Sequence, residues 1–274
     1  MPSYLGQRRS PCDDLLEVAE HAPYYRRDLA LVHHLGFGFH AEACAPGMLG
    51  ILEPVRERGG LVVELGCGSG LLTRHLTDAG HRVVATDASP AMLELARATV
   101  GDAADVRRLT LPDDPIPAAD AIVSVGHALN YLADAGAIER ALIAAAEALR
   151  PLGILALDLC DLQYGEATSS PSTGAWVADD WAIITERSRP APDRFVRQMA
   201  VFVRNDDGSW RRDDELHDNV LLDVSTVAPL LARHGVDAEI RSAFGAEELP
   251  EGLHAVVGRR DSPSEPSRHH AEDC

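Results

Sequence analysis

Three glycines stand at a strand-to-helix turn in Glu64-Leu65-Gly66-Cys67-Gly68-Ser69-Gly70, between the apolar run LVVEL and a stretch with helical spacing. Lacking a Cβ, glycine lets the chain turn sharply and lets a ligand lie against bare backbone. The next apolar run ends in Asp87, whose carboxylate can accept two hydrogen bonds from the hydroxyls of a ribose. A nucleoside laid across the carboxyl ends of two neighbouring parallel strands would meet both features. Spacing narrows which nucleoside. A dinucleotide turn places its third glycine at position 71, beside the helix N-terminus that receives a pyrophosphate. Residue 71 is Leu, and the third glycine arrives one residue early, at Gly70. Glu64, just ahead of the glycines, would repel a pyrophosphate and suits a ligand with ammonium and sulfonium charges.

Other side chains are candidates for the reacting half of such a pocket. In VGHALNYL, after the apolar run DAIVSVG, His127, Asn130 and Tyr131 fall close to the expected ligand. His127 is the best candidate base, because an unperturbed imidazole titrates near neutrality. The plainer alternative is that His127 bonds a backbone carbonyl while Asn130 and Tyr131 pack. In DDELHDN, Glu215 and His217 lie two apart and so share one strand face with Asp213, leaving Asp214 and Leu216 on the other. If that face covers the pocket they orient an amine or hydroxyl; if it faces water they are a solvated edge. HHLGFGFHAEACAP mixes His33, His34, Phe37, Phe39 and His40 with two glycines, as a lid loop would. Tyr24 and Tyr25 are candidates for a wall or a hydroxyl beside it. No metal is expected, because these histidines lack carboxylate or cysteine ligands at a recognised spacing.

The elements that must position these residues alternate. A helical N-terminal cap covers residues 1–58, with a break near Pro23 and a second helix expected from Pro46 to Arg58. Over 59–160, GGLVVEL, HRVVATD, DVRRLTL, DAIVSVG and ILALDLC read as strands, separated by LLTRHLTDAG, SPAMLELARATV and AGAIERALIAAAEALRPLG as helices. Ser89 and Pro90 supply an N-cap and first helical position, and Pro151 and Gly153 are expected to end the third helix. Such alternation predicts a doubly wound α/β core with a mostly parallel, Rossmann-like sheet. From 161 to 223, WAIITERS, RFVRQMAVFVR and WRRDDELHDNVLLDV alternate instead, with a hairpin turn at NDDGS, and predict an inserted small antiparallel β-sheet over the site. Residues 224–260 return to the core, and 261–274 form a polar tail expected to be disordered.

Composition excludes several classes of partner. Among 274 residues, 25 Lys+Arg stand against 43 Asp+Glu, a formal net charge of -18 at pH 7. Such a surface repels a phosphate backbone, so no nucleic-acid substrate is expected. Cys12, Cys44, Cys67, Cys160 and Cys274 are scattered, without a CxxC pair, which argues against a disulfide framework and a structural zinc. With no apolar run of transmembrane length and no signal-peptide core, a soluble cytoplasmic protein with no membrane partner is expected. Oligomeric state stays open, with a homodimer among the assemblies allowed.

VVELGCGSG, ATDASPAMLELAR, DAIVSVGHALNYL and LRPLGILALDL follow one another in order and spacing. Together they resemble the class I S-adenosylmethionine (SAM)-dependent methyltransferases, over about residues 61–159. The resemblance implies that Gly66, Cys67, Gly68 and Gly70 floor the methionine part of SAM, with Glu64 near its amino end. It implies that Asp87 binds the ribose, Ala88 and Met92 run along the adenine, and Leu109 lies at the adenine edge. Methyl transfer is an in-line displacement at an activated carbon, so the protein must mainly align the acceptor and exclude water. The residues expected to do so are His127, Tyr131, Glu215 and His217. A nitrogen or oxygen of a small molecule is the expected acceptor, because the Asn-Pro-Pro-Tyr type of motif that holds a flipped base is absent after the fourth strand and the inserted sheet is similar to substrate-covering insertions of small-molecule methyltransferases. The alternative is a protein that uses SAM for cyclisation or sensing without methylating; a nicotinamide dehydrogenase is disfavoured by Leu71.

Overall fold

The computed structural model describes residues 24–166 and 172–262. The expected break near Pro23, Cys12, Cys274 and nearly all of the polar tail lie outside the described residues. Seven strands form the main sheet: β1 (Leu61–Leu65), β2 (Arg82–Asp87), β3 (Asp105–Arg108), β4 (Ala119–Ser124), β5 (Leu149–Cys160), β10 (Val236–Arg241) and β11 (Leu253–Arg260). Their order is β10-β11-β5-β4-β1-β2-β3. Only β11 runs antiparallel to its neighbours, β5 and β10.

Both faces of this sheet are covered, which is why its central strands are apolar at consecutive positions. On one face Val63, Leu65, Ile122, Leu155 and Leu157 pack against α5 (Ala135–Ala148) and α6 (Val227–Arg233) through Ile138, Leu142 and Leu231. On the other, Val62, Val123 and Ala156 meet α2 (Phe39–Glu57), α3 (Leu71–Asp78) and α4 (Pro90–Val100) through Met48, Leu52, Leu76 and Leu93. The Ser89 hydroxyl caps α4 by accepting the Met92 N–H at 3.2 Å, with Pro90 at the first helical position as expected.

A second sheet is antiparallel throughout, in the order β6 (Ser172–Val177), β7 (Trp181–Ala191), β8 (Arg194–Arg204), β9 (Trp210–Val220). Its inner face buries Ile183, Met199, Val201 and Val203 against Leu29 and Val32 of α1 (Arg27–Gly36), so the cap helix sits on the inserted sheet.

Four local expectations are corrected. The helix expected from Pro46 starts at Phe39 and carries Pro46 inside it. Burial of Cys44, Ala45, Met48 and Leu52 along one side outweighs the hydrogen bond that proline cannot make. The expected lid loop is therefore a tight corner between helices. His33 and His34 end α1, His40 begins α2, and only Phe37 and Gly38 lie between. Its glycines serve close packing, since a Cβ on Gly36 would stand 2.6 Å from the Trp181 ring. Third, α5 stops at Ala148 and β5 starts at once, so Pro151 and Gly153 lie in the strand; the register slips between Ala119 and Ala121 to absorb them. Fourth, β6 is an additional strand, whose STGAWV is rich in small residues and lacks an alternating apolar pattern.

Candidate active site

Strand β1 pairs with both β2 and β4, so the strand order reverses there and a crevice opens at their carboxyl ends. Gly66, Gly68 and Gly70 fill the turn with φ of 67°, 54° and 81°, the left-handed region that side chains avoid. They do different work. A Cβ on Gly66 would come within 2.4 Å of Ala128 Cβ, and one on Gly70 within 3.2 Å of Ala96 Cα. On Gly68 it would find only Met92 Sδ, at 4.0 Å. Gly66 and Gly70 allow close packing, while Gly68 faces a hollow.

Asp87 is held at the rim of that hollow. Its Oδ2 accepts the Gly68 N–H at 2.9 Å and its Oδ1 the Ser89 N–H at 2.8 Å. Burial raises its pKa, and the backbone donors of Ser89, Gly68 and Ala88 oppose the rise. A carboxylate has about four acceptor positions, so each oxygen keeps capacity for a ligand hydroxyl. Ala88 is exposed beside it, Met92 is buried beneath, and the Leu109 N–H reaches the Asp87 carbonyl at 3.1 Å. The Leu109 side chain itself joins the core. Glu64 is sealed under the turn, where Thr73 Oγ1 donates to its Oε2 at 2.6 Å. Burial pushes its pKa up to about 8 despite that bond. Cys67 is buried, its thiol pushed well up by burial, and it is no nucleophile.

The cap is tied to this rim. His34 Nδ1 lies 2.9 Å from Ser69 Oγ, and Ser89 Oγ donates to the Tyr25 carbonyl at 2.8 Å. Asp158, wholly buried near the end of β5, organises the loop after β4. It accepts the Gly126 N–H at 2.9 Å, the His127 N–H at 2.6 Å, and His40 Nε2 of the cap at 2.8 Å. Burial opposes charge on His40, but the bonds to Asp158 and Cys44 override it and lift its pKa to about 10. Asp158 went unnoticed in the sequence, although an acid inside ILALDLC was a signal.

His127 is brought to the pocket in a left-handed conformation, φ 47°, with its ring stacked 5.6 Å from that of Tyr131. Its Nδ1 is enclosed without a partner. Burial, reinforced by Arg197, pushes its pKa down to about 3, so the near-neutral titration expected of it does not hold. It is a neutral hydrogen-bonding imidazole at physiological pH. Asn130 is a structural pin: its Nδ2 donates to the carbonyls of Cys160 and Val220 at 3.2 and 2.6 Å, and its Oδ1 accepts the Cys160 N–H at 2.9 Å. The Tyr131 hydroxyl lies 2.8 Å from that of Tyr25 and accepts from Arg197.

Glu215 and His217 face the cap and not water. His217 Nε2 lies 2.9 Å from Glu215 Oε2, and Glu215 also accepts the Tyr25 and Arg26 N–H groups at 2.8 and 2.7 Å. The rings of Tyr24 and Tyr25 stand edge-on to His217 at 4.8 Å. Burial raises Glu215 to about 7 and pushes His217 well below its usual value. A neutral His217 donating Nε2–H to Glu215 leaves its enclosed, unpartnered Nδ1 as an acceptor. Asp213 shares the face and pairs with Arg26 at 2.6 Å, while Asp214 pairs with Arg212 on the other. His33, His34 and His40 have separate partners, and among the described residues no group of His, Cys, Asp or Glu is arranged to hold a metal ion.

Residues 62–153, from the second residue of β1 into β5, match the family model described as a methyltransferase domain. The chain carries a methyltransferase domain. A protein of Geobacillus sp. (strain WCH70) that bears a methyltransferase name is 23% identical over 210 residues, 71% of this chain and 81% of that one. A SAM-dependent methyltransferase from Clostridium acetobutylicum ATCC 824 shares the fold at TM-score 0.71 and 15% identity, covering 85% of this chain and 98% of its own. The sugar N-methyltransferase KedS8 from Streptoalloteichus sp. ATCC 53650 does so at TM-score 0.69 and 20% identity, covering 88% and 96%. At these identities the structural likeness is one of fold. The expected doubly wound core, its inserted sheet and the methyltransferase resemblance are all borne out. No described helix is long and apolar enough to cross a membrane.

Proposed function

We propose that this methyltransferase domain binds SAM and transfers its methyl group to a nitrogen or oxygen of a small-molecule acceptor. The observation that carries this is the hollow over Gly68, open where a Cβ would lie and bordered by Asp87 at the strand ends. The residues present fit the cofactor. Asp87 has acceptors left that would hold the ribose hydroxyls, Ala88 and Met92 would border the adenine, and Glu64, under the turn, would favour the ammonium group. Once bound, SAM supplies a methyl carbon already activated by its sulfonium. What remains for the chain is to align the acceptor, keep water out and take a proton if the acceptor arrives with one. Tyr131 and His127 hold the acceptor by hydrogen bonds. His217, kept neutral by burial, orients the acceptor through its Nδ1, with Glu215 fixing the tautomer through Nε2–H. The aromatic wall of Tyr24, Tyr25 and Tyr131 excludes water. A net charge of -18 disfavours nucleic-acid acceptors.

Incubation with methyl-labelled SAM and a panel of amines and phenols tests the reading. Label in a small molecule supports it; tight S-adenosylhomocysteine binding with no transfer across a broad panel would point to the non-methylating alternative. Asp87→Ala is expected to weaken S-adenosylhomocysteine binding by about ten- to a hundredfold, read by calorimetry, from loss of charged hydrogen bonds. Unchanged affinity would mean the ribose lies elsewhere. His127→Ala is expected to lower turnover more than cofactor affinity; equal losses would make it a cofactor-pocket residue.

Glu64 adds a pH signature. In the fold it keeps its proton up to about 8 rather than the usual 4.5, so its burial lowers stability as pH rises through that window. A cationic ligand favours the carboxylate, so binding near neutrality should release up to about one proton. Calorimetry in buffers of different ionisation enthalpy measures it, and Glu64→Gln should abolish the release. A release unchanged in that variant would assign the proton to another group.

A further inference from the structure

On the inner face of the inserted sheet, Arg187 of β7 stands directly across from Arg197 of β8, and Arg197 directly across from His217 of β9. Two guanidiniums at facing cross-strand positions repel one another. The other arginines of this sheet, Arg189, Arg194, Arg204, Arg211 and Arg212, each pair with a carboxylate. Among the described residues Arg187 and Arg197 pair with none, in a chain with 43 acidic side chains to draw on.

Their environments are unusual for unpaired cations. Arg187 is half-buried and lies over the Trp176 ring, 5.5 Å from its centre. Arg197 lies over the Tyr131 ring at 5.7 Å, and its Nη2 donates to the Tyr131 hydroxyl and to Asn219 Oδ1, the latter at 3.2 Å. Its Nε is fully enclosed and has no acceptor. Neutral acceptors and a ring face replace only part of the hydration a guanidinium gives up, and an orphaned buried donor adds to the cost. The positive field reaches the pocket's histidines, since Arg197 helps depress the pKa of His33, His127 and His217. A cationic patch has thus been placed inside an acidic protein, on the face that meets the cap, and joined through Tyr131 to the loop after β4.

We infer that Arg197, assisted by Arg187, binds an anionic oxygen group, a carboxylate or phosphate, carried by the methyl acceptor. This rests on the proposed methyl transfer, and it narrows the acceptor class to acidic small molecules. Such a group meets the enclosed Nε–H, which has no acceptor, and completes the fork at Nη2 by displacing Asn219 Oδ1; exclusion of water strengthens the bond.

The test uses the full chain saturated with S-adenosylhomocysteine and follows arginine Nε–H signals by NMR, with Arg197 assigned from its disappearance in Arg197→Gln. Acetate, inorganic phosphate and neutral acetamide are titrated separately. A saturable shift of the Arg197 signal with acetate or with phosphate is expected, and none with acetamide; which anion binds more tightly identifies the group. Arg197→Gln should weaken that binding by about tenfold or more, and Arg187→Gln by a smaller factor. Should the glutamine variant fail to fold, Arg197→Lys keeps the charge without the fork and should show an intermediate loss. No anion response beyond that of acetamide, or unchanged anion affinity in the Arg197 variants, overturns the inference. So does a full shift from S-adenosylhomocysteine alone, which would assign the guanidinium to the cofactor's own carboxylate. Calorimetry of S-adenosylhomocysteine on the wild type reads the cofactor pocket separately, so failure there would sink the proposed activity and not the anion site.

Discussion

Asp158→Ala is expected to lower unfolding stability by about 3–5 kcal/mol, the range for removing one partner of a buried ion pair. The carboxylate is 0% exposed and accepts from three groups: His40 Nε2, the Gly126 N–H and the His127 N–H. Deleting it leaves the cap without its His40 hydrogen bond to β5 and two loop amides without acceptors. Asp158→Asn keeps the volume and can still accept, so its cost should be smaller. The pH dependence separates the ion pair from simple packing. His40 titrates at about 10 in the fold against an ordinary 6.5. A raised histidine pKa gives stability that is fully present below about 6.5 and is lost as pH rises through about 10. The stability difference between wild type and Asp158→Asn, measured by urea unfolding, should therefore shrink across that window. Cys44, which also contacts His40, is kept in both proteins, as are the neighbouring His33 and His127. A difference that stays constant from neutral to alkaline pH would show that the pair is not charged.

The same network marks where reading along the chain stops. The glycine turn, the acid ending the next strand and the Ser89 cap are local patterns, whose periodicity and turn chemistry survive folding unchanged. The pocket's polar contacts are not local. His40 meets Asp158 across 118 residues, Tyr25 meets Tyr131 across 106, and the Tyr25 amide meets Glu215 across 190. That Glu215 and His217 share a face followed from strand geometry; that the face is covered depended on α1 seating on the inserted sheet. His127 was singled out by position, but its titration was not legible, because its pKa is set by burial and by Arg197, seventy residues on in another element. Pro46 misled for the opposite reason: a sound local rule yielded to a buried helix face. Arg197 gave no local signal at all, since an arginine in an alternating strand reads as solvated until its neighbours are known.

Gly68→Ala is expected to weaken S-adenosylhomocysteine binding on the order of 100-fold while lowering stability by only about 1–2 kcal/mol. Gly66→Ala should do the reverse, and the pair isolates the role of the hollow. Both residues have positive φ, 54° and 67°, so both variants carry a similar left-handed penalty. They differ in what the new methyl meets. At Gly66 it would lie 2.4 Å from Ala128 Cβ, and the turn or the loop after β4 must shift to admit it. At Gly68 its nearest neighbour is Met92 Sδ at 4.0 Å, an ordinary contact that adds no steric cost. A methyl that harms binding without harming the fold must occupy space the ligand needs, because no other partner is there to be displaced. Calorimetry with S-adenosylhomocysteine and urea unfolding of both variants give the four numbers required. Cofactor affinity near that of wild type in Gly68→Ala would mean that the ligand does not lie over this glycine, and that the opening at Asp87 serves something else.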